Sequence, residues 1–549
     1  MLNLWKRYLI EDLDESGNPV PRGFSCPENF NFAYDVVDVL GAETPERRAM
    51  LWRSVNDEKH TFTFKDMKDM SDRAASFFLS LGIRKGDMVM LILKRHYQFW
   101  FAILGLHKIG AVAVPATNQL RKDDLDYRFK AANIHSVVCT LQPGEMIAES
   151  VEKAAADYGK IHNLIGVGGS REGWLDFDGG LASADPFDRP TGDDATSLND
   201  LMLMYFTSGT TNQPKMVAHD FSYPIAHIAT AKYWQKVVPD GLHLTVSETG
   251  WAKSVWGKLY GQWLMEAGIY VFDFDRFSPH KILTCIEEDR LTTFCAPPTI
   301  YRFLLQENLD SFDLSSLTHV TIAGEALNPE VYEKFLKKTG LELKEGFGQT
   351  ETTLSVVTNY WMKSKPGAMG KPSPFYDVEL LNHEDKPAEN HETGEICIRT
   401  GGKKILGLFT GYYLDNELTA KVWSNGIYRT GDLAFRDEDG YYWFIGRKDD
   451  IIKSAGYRIS AFEVESTLME HAAVMECAVT GVADEIRGQV IKATIKLAPG
   501  HNPSNMLKRE IQEFMKNRTA PYKYPRVVDF VDELPKTISG KIRRVELRD

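Results

Sequence analysis

The 549 residues lack most of the signatures that assign a chain at sight. The six cysteines (Cys26, Cys139, Cys285, Cys295, Cys397 and Cys477) include no CxxC pair and no Cys/His spacing of the zinc-binding kind. They read as scattered, reduced thiols, mostly buried, in a cytoplasmic protein. No run approaches the roughly 20 apolar residues of a spanning helix, because the most apolar stretch, Phe99 to Val114, is interrupted by His107 and Lys108. The opening MLNLWKRYLIEDLDESG turns acidic before any apolar run develops, so it makes a poor signal peptide. An excess of positive charge is missing too. With 64 Lys plus Arg against 76 Asp plus Glu, the net charge of −12 argues against nucleic acid or an anionic membrane as partner. Neither the Walker A spacing GxxxxGK[ST] nor GxGxxG occurs, which removes the two commonest nucleotide fingerprints.

What is present is ordinary globular composition, 43% hydrophobic and 26% charged, in a chain too long for one core. From Phe30 to about Val167 short apolar runs alternate with helical periods, as in Met88 to Leu93, Gln98 to Ile109 and Ala111 to Pro115. A second alternating series follows Lys215, with helices expected at Ile225 to Tyr233 and Ala252 to Ala267 and strands at Leu242 to Val246, Thr293 to Ala296 and Thr318 to Ile322. Two such series predict two stacked α/β subdomains with largely parallel sheets. Beyond Met369 short strands and turn residues predict an all-β insert in the form of a small barrel, with a hairpin around Asp439-Gly440. A last α+β module follows the polar run Arg447-Lys448-Asp449-Asp450. The expected division is therefore 1–448 and 449–549, the second part mobile.

The most telling stretch is YFTSGTTNQPK, Tyr205 to Lys215. Thr207, Ser208, Thr210 and Thr211 surround Gly209, so hydroxyls and approachable backbone N–H groups cluster where an apolar strand ends, and Lys215 adds a cation. That composition suits a phosphate group, although a Ser/Thr/Gly surface loop has the same residues. Further on, Gly324 and Glu325 follow a strand in TIAGEAL, and Thr350 and Glu351 end GFGQTE. A carboxylate beside phosphate oxygens is what Mg²⁺ prefers. YRTGD closes on Asp432, able to accept both hydroxyls of a ribose or simply to cap a turn.

TSGTTNQPK, GEAL, GFGQTE, YRTGD, GRKDDIIKSAGYRIS and PKTISGKIRR occur in this order from Thr207 to Arg544. Together they resemble the core motifs of the acyl-adenylate-forming superfamily, and the branch most resembled is the medium-chain acyl-CoA synthetases of fatty-acid metabolism. The resemblance runs from about Phe32 to the C-terminus. It implies a large N-terminal domain of two α/β subdomains plus a β-barrel, and a small mobile C-terminal domain. It implies two half-reactions: ATP and a carboxylic acid give acyl-AMP and pyrophosphate, then coenzyme A displaces AMP. Thr207, Ser208, Gly209, Thr210, Thr211 and Lys215 are then expected to hold the β and γ phosphates, Thr350 the α phosphate and Glu351 a Mg²⁺ ion. Gly324, Glu325, Ala326 and Phe347 would line the adenine, while Asp432 and Arg447 take the ribose beside Phe444. Lys541 is the expected catalytic lysine, Asp449 the hinge, and Gly456 and Arg458 the part that meets coenzyme A.

For the acid, the resemblance points to Gly348, a position that tryptophan fills in acetyl-CoA synthetases. Glycine there is expected to open the floor for acids longer than acetate. Trp234, Lys253, Trp256 and Cys295 are the expected walls, with Trp251 beside the carboxylate and thiol path. Trp256 also falls at helical spacing with Ala252 and Tyr260, which is equally a core pattern. Two tryptophans favour short or medium, branched or aromatic acids. Two other functions fit parts of the pattern: a ligase that loads a carrier protein, and a nucleotide-binding sensor without turnover. The sensor has no need of Lys541, Glu351 and Asp449. Oligomeric state is open, a homodimer among the options.

Overall fold

The computed structural model describes every residue except 143, 145, 208–212, 326, 456, 537–541 and 549. Packing separates two units. The first comprises Met1–Asp377 with Arg399–Ile427, the second Val378–Ile398 with Tyr428–Asp549.

The first unit holds two sheets. In one, the strands run in the order Gly411–Tyr412, Lys215–Asp220, Leu201–Thr207, Val112–Pro115, Met88–Ile92, Ser136–Thr140, Asn163–Val167, Leu175–Asp176. From Leu201–Thr207 onward neighbours are parallel, while Lys215–Asp220 folds back antiparallel with Thr207 opposite Lys215. The other has a parallel centre, Arg48–Ser54, Gly268–Asp273, Leu242–Thr245, Thr293–Ala296, His319–Ile322 and Leu343–Gly348. Leu354–Val357 and Lys59–Thr63 join it antiparallel. Met88–Ile92 and Val112–Pro115 are buried throughout, as expected of strands covered on both faces. These are the two series legible in the sequence, except that Arg48–Ser54 and Lys59–Thr63, which belong to the first series along the chain, join the second sheet.

Gln98–Ile109 is a helix buried on every side, and its polar interruptions find partners inside the core. Lys108 pairs with Asp38 at 2.7 Å and with Asp72, and His107 Nε2 meets the Tyr260 hydroxyl at 2.9 Å. Among the described residues no helix is long and apolar enough to cross a membrane.

The helix expected over Ala252 to Ala267 is two, Ala252–Gly257 and Tyr260–Leu264. A Cβ on Gly257 would stand 1.9 Å from Thr245 Oγ1, so the chain comes too close to the sheet there for any side chain, and Leu259 leaves helical geometry. The helix expected over Ile225 to Tyr233 is Tyr223–Ala229 followed by a π turn, Thr230–Trp234.

The second unit contains a sheet ordered Asp377–Leu381, Gly394–Arg399, Ile427–Arg436, Tyr442–Arg447, the last two strands antiparallel. A second sheet is built from Ile451–Ser454, Tyr457–Ser460, Val474–Asp484, Gly488–Leu497 and Val527–Phe530, covered by helices Ala461–Leu468 and Asn505–Arg518. The division expected after residue 448 falls inside this unit. The reason is local packing: the Ser460 hydroxyl donates to the Ile445 carbonyl, and the Phe444 ring meets Phe462 edge-on at 5.5 Å.

Five imidazoles in the first unit give it a pH signature. Burial pushes His107 and His243 down to about 3, His219 and His319 to about 4, and His227 well below the usual range. Each stays neutral in the fold but binds a proton near pH 6.5 once the chain unfolds. Their stabilisation is thus complete above about pH 6.5 and drains as the pH falls toward 4, at roughly 1.4 kcal/mol per group per pH unit. Glu345, pushed up to about 8 by burial, acts in the opposite sense. The thermal midpoint is therefore expected to be lower at about pH 5.5 than at about pH 7.5, with His243→Gln losing less over that interval. A midpoint that rises on acidification would refute this account.

Candidate active site

Several expected site residues of the first unit fall at the carboxyl ends of parallel strands, where an α/β sheet offers its crevice. Leu201–Thr207 delivers Thr207, His319–Ile322 runs into Gly324 and Glu325, and Leu343–Gly348 carries Phe347 and Gly348 and leads into Thr350 and Glu351. Ser208, Gly209, Thr210, Thr211 and Ala326 lie outside the described residues.

Two residues not foreseen in the sequence hold this array together. His219, on the same strand as Lys215, is buried and neutral, and its Nε2 is 2.8 Å from the Thr350 carbonyl. Only the donor tautomer suits that carbonyl. The Tyr412 hydroxyl donates to Glu351 Oε1 at 2.8 Å, and the Lys215 ammonium sits 5.2 Å from the centre of the Tyr412 ring. The Phe409 N–H binds the Glu351 carbonyl at 2.7 Å. One tyrosine thus brings together the cation after the expected phosphate loop and the carboxylate expected to face a metal. Tyr412 stands far from both in the sequence, and a tyrosine carries no local mark of such a role.

Glu351 is the test of a metal site. Among the described residues no three His, Cys, Asp or Glu side chains converge as a metal cage. Mg²⁺ keeps water and phosphate oxygens and asks for only one or two carboxylates, so a single oriented Glu351 fits it.

Gly324 has φ +106°, a backbone that glycine tolerates best, and Glu325 accepts a hydrogen bond from Thr299 Oγ1 at 2.8 Å. Lys253 reaches back rather than outward: its ammonium donates to the Ala323 carbonyl at 2.6 Å. Lys253 therefore ties the helix Ala252–Gly257 to the strand end that bears Gly324.

Of the residues expected to wall the acid, Trp234 and Trp256 stand against the strand Leu343–Gly348, but the floor differs from expectation. Trp234 is buried, its indole N–H donating to the Lys344 carbonyl at 2.9 Å. Trp256 donates to the Tyr223 hydroxyl at 2.9 Å. Cys295 is buried in the strand Thr293–Ala296, and Trp251 caps the helix Ala252–Gly257. A Cβ on Gly348 would lie 2.2 Å from the Thr353 carbonyl oxygen and 2.8 Å from the Trp256 ring. The space freed by glycine is thus taken by backbone and by Trp256, and is closed rather than open.

In the second unit Asp432 and Arg447 are cross-strand partners joined at 3.1 Å, and Arg447 also donates to the Thr430 carbonyl at 2.8 Å. Gly431, with φ +73°, leaves room for this, since a Cβ there would meet the guanidinium at 2.8 Å. Phe444 packs on Phe462 as described. Asp449 is exposed in a short turn, Lys448–Asp450, and its carbonyl accepts from Arg548 at 3.2 Å. Arg458 is exposed on the hairpin of Ile451–Ser454 and Tyr457–Ser460. Gly456 and Lys541 lie outside the described residues.

Residues 38–413 match the family described as AMP-binding enzyme, and residues 463–541 match its C-terminal domain. The chain belongs to the AMP-binding enzyme family. Among the relatives of this family member is mouse acyl-coenzyme A synthetase ACSM3, mitochondrial, 39% identical over 95% of this chain and 90% of the relative. Another is 4-hydroxybutyrate–CoA ligase 1 of Metallosphaera sedula, 40% identical over 94% and 90%. Among solved structures of the family, the anthranilate CoA ligase AuaEII in complex with anthranoyl-AMP superposes with a TM-score of 0.85 at 27% identity, covering 95% of this chain and 97% of that one. The benzoate CoA ligase from Burkholderia xenovorans LB400 gives 0.82 at 26% identity, covering 95% and 100%. The superfamily expected from the ordered motifs is the one to which the chain belongs.

Proposed function

We propose that the protein is an AMP-forming acyl-CoA synthetase, an acid–thiol ligase that uses ATP and coenzyme A. The observation that carries this reading is the assembly of Lys215, Tyr412, Glu351 and the His219-held Thr350 at the end of the strands that enclose the phosphate loop. A carboxylate oxygen of the acid attacks the α phosphorus, a P–O bond forms, and pyrophosphate leaves with the electron pair of the broken P–O bond. The coenzyme A thiol then gives up its proton, its sulfur attacks the acyl carbon, and AMP leaves.

Thr207 and Lys215, with the loop residues 208–211, grip the departing pyrophosphate, and Thr350 faces the α phosphate. Mg²⁺ held by Glu351 would add positive charge against the phosphate oxygens. Gly324, Glu325, Ala326 and Phe347 take the adenine, Asp432 and Arg447 the ribose. Lys541 stabilises the charge that develops when two anions are brought together. Asp449 serves as the hinge by which the C-terminal part exchanges Lys541 for the coenzyme A residues Gly456 and Arg458. Trp234, Trp251, Lys253, Trp256 and Cys295 shape the acid site around Gly348, for a short or medium, branched or aromatic acid of fatty-acid metabolism. A reducing, cytoplasmic setting suits the six cysteines, none of which forms a disulfide among the described residues.

Purified protein given Mg-ATP, coenzyme A and acids from acetate to decanoate, with branched and aromatic ones, is expected to release pyrophosphate and AMP and to form the matching acyl-CoA. Tight ATP binding with no turnover on any acid would sink the enzyme reading in favour of a sensor.

A further inference from the structure

The N-terminal residues ahead of position 38 lie outside the matched family region, yet they are folded onto the acid-site wall. Leu9–Leu13 and Pro19–Phe24 form an antiparallel hairpin. From it the Glu11 carboxylate accepts two hydrogen bonds from Lys232 Nζ, at 2.8 and 2.9 Å, and one from the Tyr233 hydroxyl. Glu11 and Lys232 side chains are each only 14% exposed, so solvent screens this pair little. Lys232 also sits 4.3 Å from the centre of the Trp5 ring. At the hairpin's far end Phe24 stacks on Phe375 at 4.2 Å, and Phe375 faces Tyr233 at 6.1 Å.

Lys232 and Tyr233 belong to the π turn Thr230–Trp234, closed by the Gln235 N–H on the Thr230 carbonyl at 2.9 Å. Such a wide turn gives up regular helical hydrogen bonds and persists only where other contacts favour it. Its consequence is directional. One residue more or less in the turn rotates everything after it by about 100° around the helix axis. The residue so aimed is Trp234, whose indole reaches the Lys344 carbonyl and whose ring would touch a Cβ on Gly346 at 2.9 Å. Lys344 and Gly346 lie on the strand that ends in Gly348.

We infer that Glu11 is a positioning residue for the acid site: by holding Lys232 and Tyr233 it fixes the wide turn that aims Trp234, and so makes the N-terminal hairpin a determinant of acid selectivity. This rests on Trp234 being a wall of the acid site. Glu11 touches neither substrate nor reacting atoms in this role. A mere tether of the N-terminus would affect stability alone, whereas a positioning role alters how acids of different length are ranked.

The test is a steady-state comparison of full-length wild type, Glu11→Ala, Glu11→Gln and Trp234→Leu on acetate through decanoate, with the KM for ATP measured alongside. Glu11→Ala is expected to change the KM for acids of about six or more carbons by about 10-fold relative to acetate, the scale of a misfitted pocket. Its KM for ATP should stay within about two-fold, and Glu11→Gln, which keeps an acceptor, should restore the wild-type ranking. Lys232→Met removes the same pair and carries the same expectation if Glu11→Ala does not fold. If Trp234→Leu changes the ranking and Glu11→Ala and Lys232→Met do not, the inference is overturned while the pocket reading stands. If Trp234→Leu leaves the ranking unchanged, the pocket reading of Trp234 falls and takes the inference with it. A wild type inactive on every acid overturns the functional proposal instead.

Discussion

Pyrophosphate release from Mg-ATP and acid should fall about 10²–10³-fold in Lys541→Ala, the usual loss when one donor to developing transition-state charge is removed. Thioester formation from supplied acyl-AMP and coenzyme A should stay within a few-fold of wild type. The physical reason is that only the first half-reaction brings a carboxylate onto a polyphosphate, so only it needs an extra cation that reaches both anions. The substitution should leave the surrounding fold intact, because described residues on either side of it are held by contacts of their own. Lys536 and Ile542 form a β-bridge, and the Arg544 guanidinium grips Glu465 at 3.0 and 2.6 Å. Arg548 reaches Asp450 as well as the Asp449 carbonyl. Equal loss in both half-reactions would contradict the alternation of the C-terminal part about Asp449.

Gly348→Trp is expected to lose at least about 10²-fold in kcat/KM on every acid, acetate included, with a lowered thermal midpoint. The tryptophan that fills this position in acetyl-CoA synthetases suggests a different outcome, an active enzyme narrowed to acetate. The geometry decides between them. The nearest atom to a Cβ at 348 is the Thr353 carbonyl oxygen at 2.2 Å, and backbone cannot swing away as a side chain can. Thr353 is further fixed by its hydroxyl, 2.7 Å from that of Tyr376, and Tyr376 is buried. Shrinking Trp256 alongside would not relieve the first contact, so a Trp256→Gly companion should not rescue. Melting curves together with pyrophosphate assays on acetate and octanoate check this. A stable double or single variant that turns over acetate at the wild-type rate would show that the strand adapts.

Much of this molecule was readable along the chain. Parallel strands such as Met88–Ile92 and Val112–Pro115 announced themselves as short, wholly apolar runs, and Gln98–Ile109 as a helix, because burial on both faces demands apolar residues. The break after Gly257 was not read from the sequence, although glycine weakens helices, because the close approach to Thr245 that fixes it there is a tertiary contact. The π turn at Thr230–Trp234 likewise hid within an ordinary helical period. The hairpin Leu9–Leu13 and Pro19–Phe24 carries charges on a short strand, and what it packs against lies more than two hundred residues away.

By itself the sequence determined the family, and it marked the stretch Tyr205 to Lys215 together with Glu351, Asp432, Arg447 and Lys541 as the groups of interest. Chemistry constrains such residues type by type, at fixed distances along strands and turns, so they survive as ordered motifs. Tertiary structure alone decided what orients them. His219 on Thr350, Tyr412 between Lys215 and Glu351, and Glu11 behind Trp234 are contacts between distant segments. It also decided that the space beside Gly348 is filled by Thr353 and Trp256. A glycine in a sequence records that a side chain is missing, and only packing settles what occupies the volume it leaves.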